Sequence, residues 1–453
     1  MKKRKLISLS TTQIIMLSFL IAILAGSILL TLPISSATGK SVPYVDALFT
    51  ATTATCVTGL VTLPTVTTWS VFGQIVILIL IQIGGLGIIT IMAGLMLVLH
   101  RKMGLGDRLL IQDAFNLNTL SGLVKFVRKV ILGTLIIEGI GALLYMTVFI
   151  PKFGMKGIWI SIFNSVSAFC NAGIDIVAEN SLCDYVTNPT INVVTCLLII
   201  VSGIGYIVWW DVIRVLKEYK IRKWKCFKAL TLHSKIALTT TSVLIVGGAL
   251  AFFIFEYNNP LTMENLSIYE KIQASIFQSV TTRTAGFATI PQENLSNASA
   301  TLSLLLMFIG GSPVGTAGGV KTVTVTVLIA SAIASIKNRN DVTMFNRTIS
   351  KEAIRKSIAV VVMSFSIMFI STLLLSLVTS APALDIAYET VSATATVGLT
   401  RNLTSSLNLW GKLIITATMY LGRIGPISLA LAFNLRKVNE NIIKAPTEDI
   451  SVG

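Results

Sequence analysis

The stretch Thr55-Cys56-Val57-Thr58-Gly59-Leu60 occurs, in varied form, four times along this chain. The other copies read Cys170-Asn171-Ala172-Gly173-Ile174, Arg283-Thr284-Ala285-Gly286-Phe287 and Ala395-Thr396-Val397-Gly398-Leu399. Their glycines, at positions 59, 173, 286 and 398, are therefore 114, 113 and 112 residues apart. A period this even indicates four copies of one structural unit.

Each glycine loop follows a mixed segment that is too short to cross a bilayer as a helix, because a crossing needs about 20 residues. Longer apolar stretches flank each pair of segment and loop. They run near 14–32, 75–99, 130–150, 191–210, 236–255, 357–379 and 411–435, with an eighth, interrupted stretch at 301–336. The repeated unit is therefore predicted to be a span, a half-span helix, a glycine loop and a second span.

The composition supports a membrane location. Of the 453 residues, 53% are hydrophobic and 12% charged, and the mean hydropathy is +0.81. A soluble domain needs more charge than this to cover its surface, so the chain is predicted to be an all-α integral membrane protein in contact with lipid. Five Cys without metal-ligand spacing and two His argue against a zinc site and metal-dependent hydrolysis.

Basic residues set the predicted orientation. The net charge is +16. The basic residues responsible for it lie in runs between the spans, as membrane topology requires, and do not indicate nucleic-acid binding. Most of these residues lie in five segments predicted to be cytoplasmic: 1–13, 100–129, 214–235, 337–356 and 436–453. Four repeats lie between them, repeat 1 at 14–99, repeat 2 at 130–213, repeat 3 at 236–336 and repeat 4 at 357–435. The basic N-terminus also resembles a secretory signal, but its long apolar run without an A-x-A site favours a first span.

Four non-helical loops at membrane depth are expected to meet at one pore, since lipid cannot satisfy their backbone groups. Each half-span helix would aim its negative C-terminal end at the axis, and the glycines would let carbonyl oxygens replace an ion's hydration shell. The loops carry no ring of carboxylates, which favours a large monovalent cation over a divalent one. The alternative is a set of ordinary turns in an eight-helix bundle; the even spacing favours the pore. The predicted ion-binding residues are Thr55, Cys56, Val57, Thr58, Gly59, Cys170, Asn171, Ala172, Gly173, Thr282, Arg283, Thr284, Ala285, Gly286, Ala395, Thr396, Val397 and Gly398.

The second span of repeat 3 is interrupted by an intramembrane loop at 310–319, which reads Gly310-Gly311-Ser312-Pro313-Val314-Gly315-Thr316-Ala317-Gly318-Gly319. So many glycines and a proline disfavour a regular helix. The loop is interpreted as a gate below the filter, the alternative being a kinked helix with small residues for packing. A nucleotide-binding P-loop is excluded because Val320 replaces the glycine required before Lys321.

Three basic residues lie close to these loops. Arg423, in the last span, would either pair with Glu138 or face the pore as part of the gate. Lys321 would bond loop carbonyls or extend toward the cytoplasm. Arg283 is expected to brace its loop through an acidic neighbour.

With these motifs in register, the chain resembles the Ktr/Trk/HKT superfamily of potassium transporters, most closely the Ktr-type membrane subunit. The matching residues are Gly59, Gly173, Gly286 and Gly398. Relatives that prefer sodium carry a serine at the first of these positions, so the resemblance implies potassium uptake across the plasma membrane through a gated, selective pore with pseudo-fourfold symmetry. It also implies that the intramembrane loop obstructs this pore and that Arg423 faces it.

The resemblance implies partners as well: a homodimer resting on a cytosolic nucleotide-binding ring of the RCK type, and often stimulation by sodium. Nucleotide is expected only on that partner, and no covalently bound cofactor is expected. The rival interpretation is a sodium- or proton-coupled cation carrier, which usually places carboxylates at midplane; only Glu138 stands clearly inside a span. An enzyme is not indicated, because no clustered nucleophile or metal-ligand set is found.

Overall fold

The computed structural model describes residues 10–99, 104–114, 122–218 and 226–425. The first spans of the four repeats are long apolar helices, each long enough to cross a membrane: Thr11–Thr31, Leu123–Phe153, Leu232–Glu256 and Lys351–Val378. Ser10 caps the N-terminus of the first of these helices in a capping box with Gln13. Thr231 and Ser350 cap the N-termini of the third and fourth helices. These side chains satisfy backbone N–H groups that a helix start leaves unpaired.

The predicted half-span helices are confirmed in all four repeats. They are Tyr44–Cys56, Lys156–Cys170, Ile268–Thr281 and Ala383–Ala395, with 13, 15, 14 and 13 residues. We number the half-span helices by their repeat. Half-span helices 1, 2 and 4 end at a residue in the left-handed conformation, namely Val57, Asn171 and Thr396. In repeat 3 the left-handed residue comes later, at Thr284.

The second spans are more broken than expected. Val71–Leu86 and Ile88–Val98 form a pair bent by 96°, and Pro189–Gly203 and Tyr206–Lys217 form one bent by 97°. The predicted spans at 75–99 and 191–210 thus each consist of two helices with a sharp bend between them. The bends lie at Gly87 and Gly205, whose φ values of +81° and +90° are closed to most other residues.

The other two second spans differ from these. In repeat 3, Asn297–Phe308 and Thr322–Ile336 flank the intramembrane loop. In repeat 4, Leu409–Ile424 ends at Gly425, which has a φ of +86° like the two hinge glycines. The rest of the predicted span 411–435 and the tail 436–453 lie outside the described residues, as do residues 1–9 and parts of the cytoplasmic segments 100–129 and 214–235.

Short elements complete the described chain. The short helices are Pro33–Ser35, Thr65–Thr68, Leu105–Ala114, Cys183–Tyr185, Cys226–Ala229, Gln292–Asn294 and Leu403–Ser406. The described strands are Thr343–Met344 and Arg347–Thr348, an antiparallel hairpin in which Thr343 faces Thr348.

Small residues on the first spans allow the half-span helices to lie close to them. A Cβ on Gly141 would come within 2.9 Å of Leu198 and would overlap Ser165 of half-span helix 2. Gly248 stands in the same relation to Ser279 of half-span helix 3. In membranes such small residues permit close helix approach, and here they bring the half-span helices of repeats 2 and 3 against their first spans.

Candidate functional site

The four glycine loops meet in a closed ring. Gly59, Gly173, Gly286 and Gly398 all have positive φ, at +99°, +64°, +84° and +99°. A Cβ built on each would collide with the carbonyl oxygen of the residue before the next glycine: Gly59 with Ala172, Gly173 with Ala285, Gly286 with Val397, and Gly398 with Thr58. The ring thus runs from repeat 1 to 4 and back to 1. Only glycine allows both the left-handed backbone and this close approach of carbonyl groups.

Hydroxyl side chains on the half-span helices form hydrogen bonds with the backbone of the glycine loops. Thr53 Oγ1 accepts a bond from the Gly59 N–H at 2.9 Å, and Ser392 Oγ accepts one from the Gly398 N–H at 3.0 Å. Ser167 Oγ accepts from the Ile174 N–H at 3.2 Å, and Thr281 Oγ1 donates to the Phe287 carbonyl at 2.6 Å. The main-chain carbonyls of the same four residues accept bonds from Thr58, Ala172, Ala285 and Val397. The N–H groups of these loops thus bond back to the half-span helices, while the carbonyl oxygens of Thr58, Ala172, Ala285 and Val397 accept no hydrogen bond within the described residues and can bind an ion.

Sequence reasoning missed these hydroxyl residues. Thr53, Ser167 and Ser392 each stand six residues before their glycine, and Thr281 stands five before its own. A hydroxyl side chain recurring at nearly one position in every repeat was the available signal.

Ser392→Ala is expected to lower the stability of the folded chain by about 1–3 kcal/mol, because the buried Gly398 N–H would lose its partner. The measurement is the melting temperature of the purified protein in detergent. Ser405→Ala is the matched control, since the Ser405 hydroxyl is exposed and bonds only weakly to Asn402. Equal melting temperatures for the two variants would contradict the supporting role of Ser392.

A cavity of about 530 Å³ opens on one face of the ring, the face toward which the chain continues after each glycine. All four glycines line it, together with Asp175, Glu179 and Glu293. Burial raises the pKa of Asp175 to about 6, and bonds from Ser181 and nearby N–H groups offset part of that rise. These carboxylates make the mouth acidic, which raises the local concentration of cations.

Some predicted ion-binding residues lie at the ends of the half-span helices and outside the glycine contacts of the ring. Thr55, Cys56, Cys170 and Ala395 belong to the last turns of half-span helices. The Thr55 hydroxyl bonds back to Ala51, and that of Thr282 bonds back to Gln278 and Ser279. The residues brought together are the glycines and the residues just before them.

The intramembrane loop lies against the opposite face of the ring. Thr316 Oγ1 accepts a bond from Asn171 Nδ2 at 3.0 Å and donates to the Phe169 carbonyl at 3.2 Å. The Gly318 N–H donates to Thr284 Oγ1 at 3.2 Å. A Cβ on Gly318 would also lie 2.5 Å from the Ala395 carbonyl. The loop therefore touches repeats 2, 3 and 4 directly below the ring.

The rest of this loop is fastened to the bend of repeat 2. The Ser312 N–H donates to the Gly203 carbonyl at 2.8 Å, and the Tyr206 N–H donates to the Val314 carbonyl at 2.9 Å. The helix before the loop ends at Phe308 and the next begins at Thr322. The alternative of a continuous kinked helix was therefore wrong.

Three cationic side chains bind carbonyl oxygens of the loop. Arg423 donates to Thr316 at 2.8 Å and to Gly84 outside the loop. Lys321 Nζ donates to Ala317, which confirms the carbonyl-bonding alternative for this lysine. Arg283 Nη2 donates to Gly310 at 3.1 Å.

No ion pair joins any of these three cations to a carboxylate within the described residues. The expected acidic neighbour of Arg283 and the alternative pair of Arg423 with Glu138 were therefore wrong. Glu138 instead accepts a bond from Gln82 Nε2 at 3.3 Å and lies 3.9 Å from the Cys170 thiol. Backbone carbonyls freed by the broken helices replace carboxylates as partners of the cations.

Carboxylates do anchor half-span helices 1 and 4. Asp46 pairs with Lys412 at 2.6 Å, and Asp385 pairs with Arg401 at 2.7 Å. Both acids stand 13 residues before their glycine. Glu389, fully buried, accepts bonds from the hydroxyls of Thr400 and Thr404 just after glycine loop 4. None of these anchors was predicted.

Comparison with known proteins agrees with this architecture. Residues 3–444 match the family model described as "TrkH: Cation transport protein". The chain is 40% identical to the potassium/sodium uptake protein NtpJ of Enterococcus hirae, covering 100% of this chain and 99% of that protein. It is also 40% identical to the Ktr system potassium uptake protein B of Bacillus subtilis, covering 99% and 98% of the two chains.

A solved structure shares the fold. The potassium transporter TrkH from Vibrio parahaemolyticus superimposes with a TM-score of 0.76 at 16% identity, covering 95% of this chain and 86% of that one. The four-repeat arrangement of spans, half-span helices and glycine loops is thus the TrkH fold. Together with the family match over nearly the whole length and the closed ring of glycines, this shows that the chain belongs to the TrkH family of cation transport proteins.

Proposed function

We propose that this chain takes up potassium across the plasma membrane through a selective, gated pore, as the ion-translocating subunit of a Ktr-type system. The observation that carries the proposal is the closed ring of four glycine loops with an acidic cavity on one face and the intramembrane loop on the other. The names of the NtpJ and Ktr relatives support potassium as the substrate and sodium as a second ion or activator.

The geometry suggests how ions would move. A potassium ion would enter from the extracellular side through the cavity lined by Asp175, Glu179 and Glu293, then exchange its water for ring carbonyls. No carboxylate forms part of the ring, so the ion is held by dipoles and can leave again. The membrane potential, negative inside, would drive it toward the cytoplasm.

The intramembrane loop would close this path. It lies below the ring and is held by Arg423, whose charge would further oppose a cation. In this proposal both termini are cytoplasmic. A homodimer of this chain rests on a cytosolic RCK-type nucleotide-binding ring, and this ring controls the gate. The chain itself acts as a transporter and catalyses no covalent reaction.

The test is ion flux into liposomes that contain the purified chain, measured with potassium and sodium under the same imposed potential. We expect potassium flux to exceed sodium flux and to rise when the cytosolic partner is added. The rival carrier predicts another result: potassium accumulation against its own electrochemical gradient, driven by a sodium or proton gradient. Such coupled accumulation would replace the pore proposal with the carrier.

A further inference from the structure

The intramembrane loop is bonded to the residues that carry the ring carbonyls in repeats 2 and 3. Asn171, which bonds to Thr316, directly precedes Ala172, whose carbonyl contacts Gly59 in the ring. Thr284, which accepts from Gly318, directly precedes Ala285, whose carbonyl contacts Gly173. Two of the four ring carbonyls therefore sit one residue away from a bond to the loop below.

The other two repeats lack this link. Val57 occupies the position of Asn171 in repeat 1 and has no polar side-chain atom. In repeat 4 the position is Thr396, whose buried hydroxyl has no hydrogen-bond partner within the described residues. Hydrogen-bonded support from the loop is thus confined to repeats 2 and 3 among the described residues, while repeat 4 meets the loop through the packing of Gly318 against Thr396.

Asn171 and Thr284 are both buried, and both adopt a left-handed φ, of +58° and +68°. Asn171 is tied in further, because its Oδ1 also accepts a bond from Ser202 at 3.4 Å. Thr316 is fully buried and uses its one hydroxyl both to accept from Asn171 and to donate to Phe169. Losing that hydroxyl would remove this partner from Asn171 Nδ2 and from the Phe169 carbonyl at once.

We propose that Thr316 is a specificity-determining residue that acts through Asn171, so that the intramembrane loop, besides blocking the pore, fixes the shape of the ring in repeat 2. This inference rests on the proposed function, since it assigns a second role to the proposed gate. A change in loop position would then alter ion preference as well as flux.

A double-mutant cycle tests it. Thr316→Val keeps the shape of the side chain and removes its hydroxyl, and Asn171→Gly removes the amide while tolerating the left-handed backbone. The readout is the ratio of potassium to sodium flux in liposomes with the cytosolic partner present. We expect each variant to lower the ratio about threefold or more, and the double variant to lower it no further than the stronger single one, because both remove one interaction.

Two further variants keep the test decisive. Thr316→Ser retains the hydroxyl and is expected to keep the parent ratio. Ser312→Ala removes a hydroxyl from the same loop whose one partner among the described residues is Thr322, so its effect on the ratio should multiply with that of Asn171→Gly. An unchanged ratio in Thr316→Val, or effects of Thr316→Val and Asn171→Gly that multiply, would overturn the inference while leaving the pore intact. Absence of potassium flux in the parent would refute the proposed function, and this inference with it.

Discussion

Gly286→Ser is expected to lower the preference for potassium over sodium by about tenfold or more. A Cβ at this position would lie 2.5 Å from the Val397 carbonyl, 3.0 Å from Gly173 Cα and 3.2 Å from Gly398 Cα. The side chain would therefore push on two other loops at once, those of repeats 2 and 4. The left-handed backbone alone costs a non-glycine residue roughly 1–2 kcal/mol, and a tenfold change in preference corresponds to only about 1.4 kcal/mol.

Gly39→Ser separates strain from ring geometry. Gly39 has a similar φ of +68° but nothing within 4 Å of its would-be Cβ. This variant should carry the same kind of backbone strain and keep the parent ion preference. Measured as the potassium-to-sodium flux ratio in liposomes, an unchanged preference in Gly286→Ser would refute the role of the ring in selection.

Deletion of residues 312–317 is expected to raise potassium flux about tenfold or more in the absence of the cytosolic partner. The deletion removes Thr316 and its bonds to the ring and to Arg423. The two ends left behind already lie together, because Gly310 N–H bonds to the Val320 carbonyl and Thr322 N–H to the Gly311 carbonyl. The flanking helices can therefore stay in place when the loop is shortened.

Arg423 variants divide this effect into its parts. Arg423→Gln removes the charge, whereas Arg423→Lys keeps the charge and loses the two-pronged contact with Thr316 and Gly84. If the charge opposes ions, only the glutamine variant should raise flux; if the guanidinium mainly holds the loop closed, both should. Flux that stays at the parent level after the deletion would contradict the gate.

The sequence predicted the parts of the fold that depend on repetition. The even spacing of the glycines located all four half-span helices, because a unit repeated in one chain leaves the same local pattern each time. The hinges at Gly87 and Gly205 were missed, since an isolated glycine in an apolar run has the same composition in a straight span as in a bent one. The bend at Gly205 lies against Pro313 of the intramembrane loop, a contact between distant parts of the chain that local composition does not reveal.

The partners of the buried cations could not be predicted for a related reason. Glu138 was the natural candidate for Arg423 because it was the clearest carboxylate within a span. The actual acceptors are main-chain carbonyls of Thr316 and Gly84, which every residue possesses and which become available only where a helix is interrupted. Side-chain identity carries no record of such acceptors.

The closed ring also has a consequence for how ion preference can evolve. In a channel built from four identical subunits, one codon change alters all four quadrants together. Here each quadrant is encoded separately, and a Cβ added to each glycine would meet a different neighbour. Preference can therefore be adjusted in single-quadrant steps, and the unequal side chains Val57, Asn171, Thr284 and Thr396 behind the four carbonyls show that the quadrants have already diverged.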